Sequence, residues 1–322
     1  MKYLFLLAPL IIGCSERNPG DFSTVKVYPG MHFDAIVDTL VSKNIVESPG
    51  LLRLYARITG TDRRIQAGEY ALQQHSHWKD ALTILTEGNV VTFDLTIPEG
   101  LMLQEIAEKI SEKSTISKEE IYSHISDPSL HEIWSLPGPG LEGYLFPDTY
   151  SFPKGVALET ILETMIEEYK SMWTPDRIAK LDDLNMTERE LMTLASIIQA
   201  EARVVGEMPR ISSVYHNRLR LGYLLQADPT VIYALGSRRS RLLFAAIDSV
   251  ADNPYNTYTQ NGLPPGPIAA PGELAIDAAL NPSEESYLYF VAHPDGQHIF
   301  SETLQEHNRA VQEVRKISSI HP

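Results

Sequence analysis

The stretch VKVYPGMHFDAIVDTL, Val25 to Leu40, returns 70 residues later as LTIPEGLMLQEIAEKI, Leu95 to Ile110. The offset pairs Gly30 with Gly100, Phe33 with Leu103, Ile36 with Ile106 and Leu40 with Ile110. In each copy a short run leads into a Pro/Gly turn, and apolar residues then recur at helical spacing. Each copy reads as strand, turn, amphipathic helix. Between them LLRLYARI predicts a helix, AGEYAL a turn, and WKDALTILTEG a helix closing at Gly88. Two copies are fewer than a solenoid needs, so the pattern predicts a small β-α module with an additional subdomain. Glu99, inside the second Pro/Gly turn, reads as a turn residue, because turns favour polar side chains for local reasons.

Upstream, the sequence speaks of export. Cys14 is the only cysteine of 322 residues, so no internal disulfide forms and zinc-ribbon arithmetic fails. Before it come Lys2, an apolar run from Tyr3 to Ile12, and Gly13. The run is too short to span a bilayer as a helix and has the shape of a secretory signal. Ile11-Ile12-Gly13-Cys14 looks like a bacterial lipobox, with Cys14 the lipidated first residue of the mature chain; an uncleaved anchor or a buried first strand are the alternatives. Residues 1–13 are thus expected to be a signal peptide and 14–24 a polar linker. The working part should lie outside the cytoplasm, tethered to a membrane. Composition, 43% apolar and 21% charged, is that of a folded protein of about two domains. A net charge of −15 argues against a nucleic-acid surface and against binding anionic lipid by charge. It leaves a neutral polysaccharide or a cationic partner.

Downstream, texture changes at about Pro137. LPGPGLEGYLFPDTYSFPKG is dense in Gly, Pro and aromatic residues and predicts an irregular, stiff segment at a domain edge. Helices are expected at Leu158–Trp173, Thr187–Ala202, Pro209–Leu221 and around Glu306–Lys316, with YLYFVA as a strand and NPYNTYTQNGLPPGPIAAPGELAI as a long loop. The expected architecture is α+β: a small β-α module over 25–135 and a mixed α+β domain over 136–322.

One helix carries an oddity. In LASIIQAEAR, Leu194 to Arg203, a step of about 100° per residue puts Leu191, Ala195, Ile197, Ile198 and Ala202 in one apolar stripe. Glu201 falls inside it, and Gln199 lies roughly 100° from its centre. Thr187 and Glu190 form a capping box at the helix start. A carboxyl on an apolar face is desolvated, which favours its protonated form and suits it to donate a proton to a glycosidic oxygen. The bland alternative is that Glu201 reaches out of the stripe or pairs with Arg203, Arg210 or Arg218.

The loops tip the balance. Tyr255, Asn256 and Tyr258 beside the Pro-rich loop, with Tyr144, Phe146, Asp148 and Tyr150 in GYLFPDTY, are types that stack on sugar rings and bond their hydroxyls. A Pro-rich loop loses little entropy on binding and can line a groove. His293, His298, Glu306 and His307 match no metal-ligand spacing, so no metal is expected. No nucleophile elbow and no phosphate-binding loop occurs, and no cofactor is called for.

LEGYLFPDTY, LASIIQAEA, LQADPTVIYALG, NPYNTYTQNGLPPGPIAAPG and YLYFVAHPDGQHIFSETLQEHNRAV, in that order, resemble the signature blocks of the MltG/YceG-like family of endolytic murein transglycosylases. The resemblance covers nearly all of the mature chain, and AGEYAL and TIPEG resemble the family's LysM-like region. It implies a bacterial envelope enzyme that cuts between N-acetylmuramic acid and N-acetylglucosamine inside peptidoglycan strands, leaving 1,6-anhydro ends. Glu201 would serve as acid and then as base. A hydrolase ordinarily adds a second carboxylate, for which Asp148 and Asp228 are the candidates. The resemblance also implies substrate contacts at Asn217, Gln226, Asp228, Tyr233, Tyr255, Asn256 and Tyr258.

Two departures stand out. Family members commonly show ASI-[IV]-E-K-E, and the first of those acids is Gln199 here. Helical phase and the resemblance both assign the acid to Glu201. Family members also carry a transmembrane helix where this chain shows the lipobox, which leaves the choice of membrane open. Two other readings compete: an inactive peptidoglycan-binding lipoprotein that positions the wall-synthesis machinery, and a muramidase.

Overall fold

The computed structural model describes residues 21–236 and 242–320, with side chains to 317. The signal-like segment and Cys14 lie outside the described residues. The architecture is α+β, with three two-stranded sheets among the described residues. Packing divides the chain into two compact units: residues up to Phe93 with Pro153–Gly155, and Asp94–Phe152 with Val156 onward. Residues 94–135, grouped with the N-terminal region on sequence texture, thus pack with the second unit.

In the first unit β1 (Phe22–Val27) pairs antiparallel with β2 (Gly68–Gln73), Val25 opposite Tyr70. AGEYAL, expected as a turn, is therefore part of a strand. Tyr70 and Leu72 point inward at the period of two that a half-buried strand requires. Between the strands lie α1 (Phe33–Ser42) and α2 (Pro49–Thr59), and α3 (Trp78–Glu87) follows. Pro49 opens α2, where its missing N–H costs nothing, and Gly88 ends α3 in the left-handed region. Val25, Ile36, Leu40, Leu52, Tyr70 and Leu85 are among its core residues.

β3 (Thr92–Thr96) pairs with β4 (Thr149–Pro153), and α4 (Leu103–Lys113), α5 (Lys118–Ile125) and the short α6 (Leu130–Ile133) lie between them in sequence. The internal echo is thus real at the level of elements. Gly30 and Gly100 turn the chain with φ of 77° and 76°, and Ile36, Leu40, Ile106 and Ile110 are all buried. β4 corrects the irregular reading of TYSFP: Tyr150 and Phe152 alternate inward, a pattern hidden by the surrounding Gly and Pro.

The remaining helices are α7 (Leu158–Ser171), α8 (Pro175–Leu184), α9 (Glu188–Glu201), α10 (Met208–Leu221), α11 (Asp228–Ala234), α12 (Phe244–Ser249) and α13 (Glu273–Leu280). The hairpin β5 (Tyr289–Ala292) and β6 (His298–Ser301) precedes α14 (Leu304–Ile320). α9 starts at the expected capping box, Glu190 accepting from the Thr187 N–H at 2.8 Å. Every residue from Leu191 to Ile198 is buried, because α10, α11 and α13 all pack on this helix. α13 overturns the loop reading of GELAI: it buries Ala275, Ile276, Ala278, Ala279 and Leu280, so little amphipathic contrast remains to reveal it. No helix among the described residues is long and apolar enough to cross a membrane.

Candidate active site

Four of the singled-out sequence blocks meet around the C-terminal half of α9, all within the second unit. Ser196 Oγ accepts the N–H of Ile268 at 3.0 Å, and Gln199 Oε1 accepts that of Gly272 at 3.0 Å. Gly100 donates to the Ala270 carbonyl, and Ala270 to that of Leu101. The stretch 266–272 is therefore buried against α9 and the turn ahead of α4, where a groove wall was expected. Gln199 is a latch. A carboxylate in its place would accept the same N–H.

Gly143 lies against the same loop with φ of 82°, and a Cβ there would sit 2.3 Å from Pro267 Cβ. Gly143→Ala combines a left-handed backbone with overpacking and is expected to cost about 3 kcal/mol, read as a fall in melting temperature.

Glu201 ends α9 on a different face. Its Oε1 accepts the Tyr215 hydroxyl at 3.0 Å, from α10. Burial pushes the carboxyl up to about 7. The Tyr215 hydrogen bond opposes that shift, the charge of Asp228 adds to it, and Arg218 opposes it again. A carboxyl so placed is part protonated at neutral pH, and its conjugate base is a competent acceptor. The pairings with Arg203 or Arg210 that would have made it structural do not form.

Asp228 opens α11, exposed, and accepts a hydrogen bond from the Tyr258 hydroxyl. Tyr258 is also close enough to Glu201 for that charge to raise its phenol. Glu201, Asp228, Tyr258 and Tyr215 therefore form one cluster, with Arg218 behind it. Arg218 is buried; its Nε donates to the Leu288 carbonyl at 2.7 Å and its Nη1 to that of Leu225 at 2.6 Å, while the guanidinium lies over the Tyr289 ring.

Other singled-out residues act at a distance from Glu201. Tyr233 and Tyr255 stack, tilted, with centroids 4.8 Å apart. Asn256 is fully buried, its Nδ2 donating to the Ile247 and Val250 carbonyls, so its amide shapes the loop instead of facing solvent. Asn217 Nδ2 donates to the Glu285 and Tyr287 carbonyls and fastens the approach to β5. Gln226 is exposed at φ of 48°, where the chain turns into α11. Tyr144 is buried with its ring edge-on to Tyr169, and Asp148 accepts from the Thr149 N–H at the start of β4. Asp148 is absent from the charges acting on Glu201, which leaves Asp228 as the second carboxyl beside it.

The histidines have other occupations. His298 pairs with Glu207 at 2.8 Å, His293 with Asp295 at 2.8 Å, and His307 stacks on Tyr289; Glu306 accepts from the N–H groups of Glu302 and Thr303. Among the described residues no three potential ligands converge. A cavity of about 780 Å³ between α8, α9, α10 and Leu263–Pro265 is lined by residues from the first half of α9, away from Glu201.

Sequence reading missed Glu142. Both its oxygens lie near the Leu103 N–H, at 3.2 and 3.4 Å, and Tyr233 is close enough to act on its carboxyl. Desolvation raises this carboxyl to about 8, against the opposing Leu103 hydrogen bond and the neighbouring Tyr233. In sequence it is one polar residue in a Gly-rich turn, and nothing local marks it.

An endolytic murein transglycosylase of Bacillus subtilis (strain 168) is 31% identical over 322 residues, spanning 95% of this chain and 88% of its own length. One of Streptococcus pneumoniae serotype 2 (strain D39 / NCTC 7466) is 30% identical over 92% of this chain, which spans 59% of that longer relative. The crystal structure of a yceG-like protein from Listeria monocytogenes, at 2.6 Å, superposes with a TM-score of 0.62 and 32% identity, covering 90% of this chain and 98% of its own. Residues 25–313 match the YceG-like family, and the chain belongs to that family.

Proposed function

We propose that this protein is a lytic murein transglycosylase that cuts within peptidoglycan strands, with Glu201 as acid and then base. The observation that carries the reading is the half-buried Glu201, its carboxyl raised to about 7 by desolvation and held by Tyr215 beside the charge of Asp228. The protonated carboxyl gives its proton to the glycosidic oxygen as the C1–O bond breaks and positive charge develops at C1. Asp228 stabilises that charge electrostatically. The C6 hydroxyl of the same muramic acid then attacks C1, and the Glu201 carboxylate takes its proton. No water is consumed, the acid is regenerated, and the product is a 1,6-anhydro end. The names of the bacterial relatives support this class of reaction.

Finer assignments belong to the same proposal. The β1-α1-α2-β2 order supports a LysM-like, glycan-binding first unit. Cys14 would tether the protein to a membrane with the active site outside the cytoplasm. Cutting inside strands near their site of synthesis would terminate nascent glycans, with the synthesis machinery as partner.

The test is mass spectrometry of muropeptides after incubating purified sacculi with the full-length protein. Anhydromuramoyl ends are expected. Reducing ends would make the protein a muramidase, with Asp228 as its second carboxylate. Gln199→Glu is expected to leave the rate within about twofold, since either side chain accepts the Gly272 N–H. Release that begins only with Gln199→Glu would instead identify an inactive binding protein.

A further inference from the structure

α2, in the first unit, is apolar on two faces. Leu52 and Ala56 belong to the core, while Leu51, Leu54, Tyr55 and Ile58 stand 57, 59, 41 and 75% exposed. At a step of about 100° per residue those four fill one stripe about 100° wide, turned roughly 130° from the core-facing pair. Single exposed apolar residues are ordinary on a protein surface, but four on one helix face form a patch that marks a binding surface. The patch continues onto α3. The Tyr55 ring lies 5.1 Å from that of Trp78, and the Lys79 ammonium stands 5.8 and 5.5 Å from the two ring centroids. Arg63 and Arg64 follow α2, both exposed.

Aliphatic side chains flanked by Tyr, Trp, Lys and Arg are the composition of a helix that lies in a membrane interface. The aliphatic residues enter the acyl boundary, the rings sit at headgroup level, and the long cations reach the phosphates. Charge does not oppose such a contact. Residues 21–93 carry seven Lys or Arg and eight Asp or Glu, so the net charge of −15 lies almost wholly beyond them. The path of the chain brings a bilayer to the same place. The Asp21 carbonyl accepts the Gln74 N–H at 3.0 Å, where the chain leaves the unit toward Cys14. Gln74 is four residues before Trp78, so that exit lies within about 20 Å of the aromatic end of the patch. Cys14 is seven residues before Asp21, at most about 25 Å of extended chain. A lipid on Cys14 therefore holds the stripe beside a bilayer at high effective concentration.

We propose that the outer face of α2 is a lipid-contact surface. Leu51, Leu54, Tyr55 and Ile58 enter the bilayer interface, with Trp78, Lys79, Arg63 and Arg64 at headgroup level, and seat the first unit on the membrane. The contact fixes the height of that unit, which the tether alone leaves free over its full reach. This rests on the Cys14 tether proposed above and is independent of the reaction at Glu201.

The test is photolabelling of the full-length protein on vesicles of phosphatidylethanolamine and phosphatidylglycerol with a trace of a phospholipid carrying a diazirine in its acyl chain. Adducts are mapped by mass spectrometry. Leu304 on α14, 56% exposed in the second unit, reports labelling that follows exposure alone. Adducts on the α2 stripe are expected to exceed those on Leu304 by about tenfold or more. Leu54→Asp with Ile58→Asp should bring α2 down to the Leu304 level, each change weakening the contact about tenfold, the worth of half-burying one such side chain. Leu54→Ser with Ile58→Ser should do the same without adding charge. Both side chains are exposed, so the melting temperature of either variant should stay native. Protein that floats with the vesicles while α2 labels no more than Leu304 would overturn the seat and leave the tether standing. Protein left behind when the vesicles float would overturn both. A dimer in detergent that Leu54→Asp with Ile58→Asp dissolves, with α2 unlabelled on vesicles, would give the stripe to a second copy and overturn the proposal. Anhydromuramoyl release from sacculi is measured separately, so failure of the seat and failure of the proposed reaction are told apart.

Discussion

Glu201→Gln is expected to lower the rate of anhydromuramoyl release about a thousandfold, and to make the protein more stable above pH 7. The first effect is that of removing a general acid whose proton no neighbour can replace. Tyr215 is a phenol pushed well above its ordinary range by burial, and Asp228 stands on α11 accepting from Tyr258. The second effect follows from the same burial. The folded-state carboxyl titrates at about 7 and the unfolded one at about 4.5, so the folded protein binds the proton more tightly. The stability gained from that proton is fully present below pH 4.5 and is lost as pH rises through 7. Glutamine carries no such dependence and still accepts from Tyr215. The variant should gain about 3 kcal/mol at pH 8, several degrees in melting temperature, with little gain at pH 4.5. Melting curves at the two pH values check it. Equal shifts at both would mean that Glu201 is not held protonated by its surroundings.

The carboxyl proposed as the acid was legible in the sequence because its oddity is local. An apolar stripe with a carboxyl in it needs only the 100° step of one helix, and the capping box at Thr187 fixes where that helix begins. The repeat was legible for the same reason, since Gly30 and Gly100 mark turns that few residue types adopt. What stayed hidden depends on partners far along the chain. Glu142 acquires its environment from Leu103 and Tyr233, on two other helices. Asn217 and Asn256 look like sugar-binding amides until the carbonyls they hold are known. Gln199 stands where family members commonly carry an acid, and the Gly272 N–H that its Oε1 accepts comes from far along the chain. α13 escaped because a helix buried among others has little polar face to betray its period.

Arg218 joins the stability of the second unit to the chemistry of Glu201, and its removal should disturb both. The guanidinium satisfies the Leu288 carbonyl ahead of β5 and the Leu225 carbonyl ahead of α11. It therefore ties the hairpin to the segment that delivers Asp228. Arg218→Met keeps most of the apolar stem but leaves the buried Leu225 carbonyl and the half-buried Leu288 carbonyl unpaired, each costing about 1–3 kcal/mol. A total near 4 kcal/mol is expected, read as a lowered midpoint in chemical denaturation with the slope unchanged. The charge has a separate signature. Arg218 is one of the groups that pull the Glu201 carboxyl down, so its loss should move the alkaline limb of the pH–rate profile upward from about 7. Arg218→Lys separates the two effects: it keeps the charge and loses the planar fork that reaches both carbonyls. The lysine variant should be destabilised yet hold its alkaline limb near the native position, whereas the methionine variant shifts it. If both limbs stay native while both proteins lose stability, Arg218 is a structural tie without electrostatic influence on the acid. The same comparison separates a damaged fold from a retuned carboxyl, because unfolding lowers the whole profile without moving its limb.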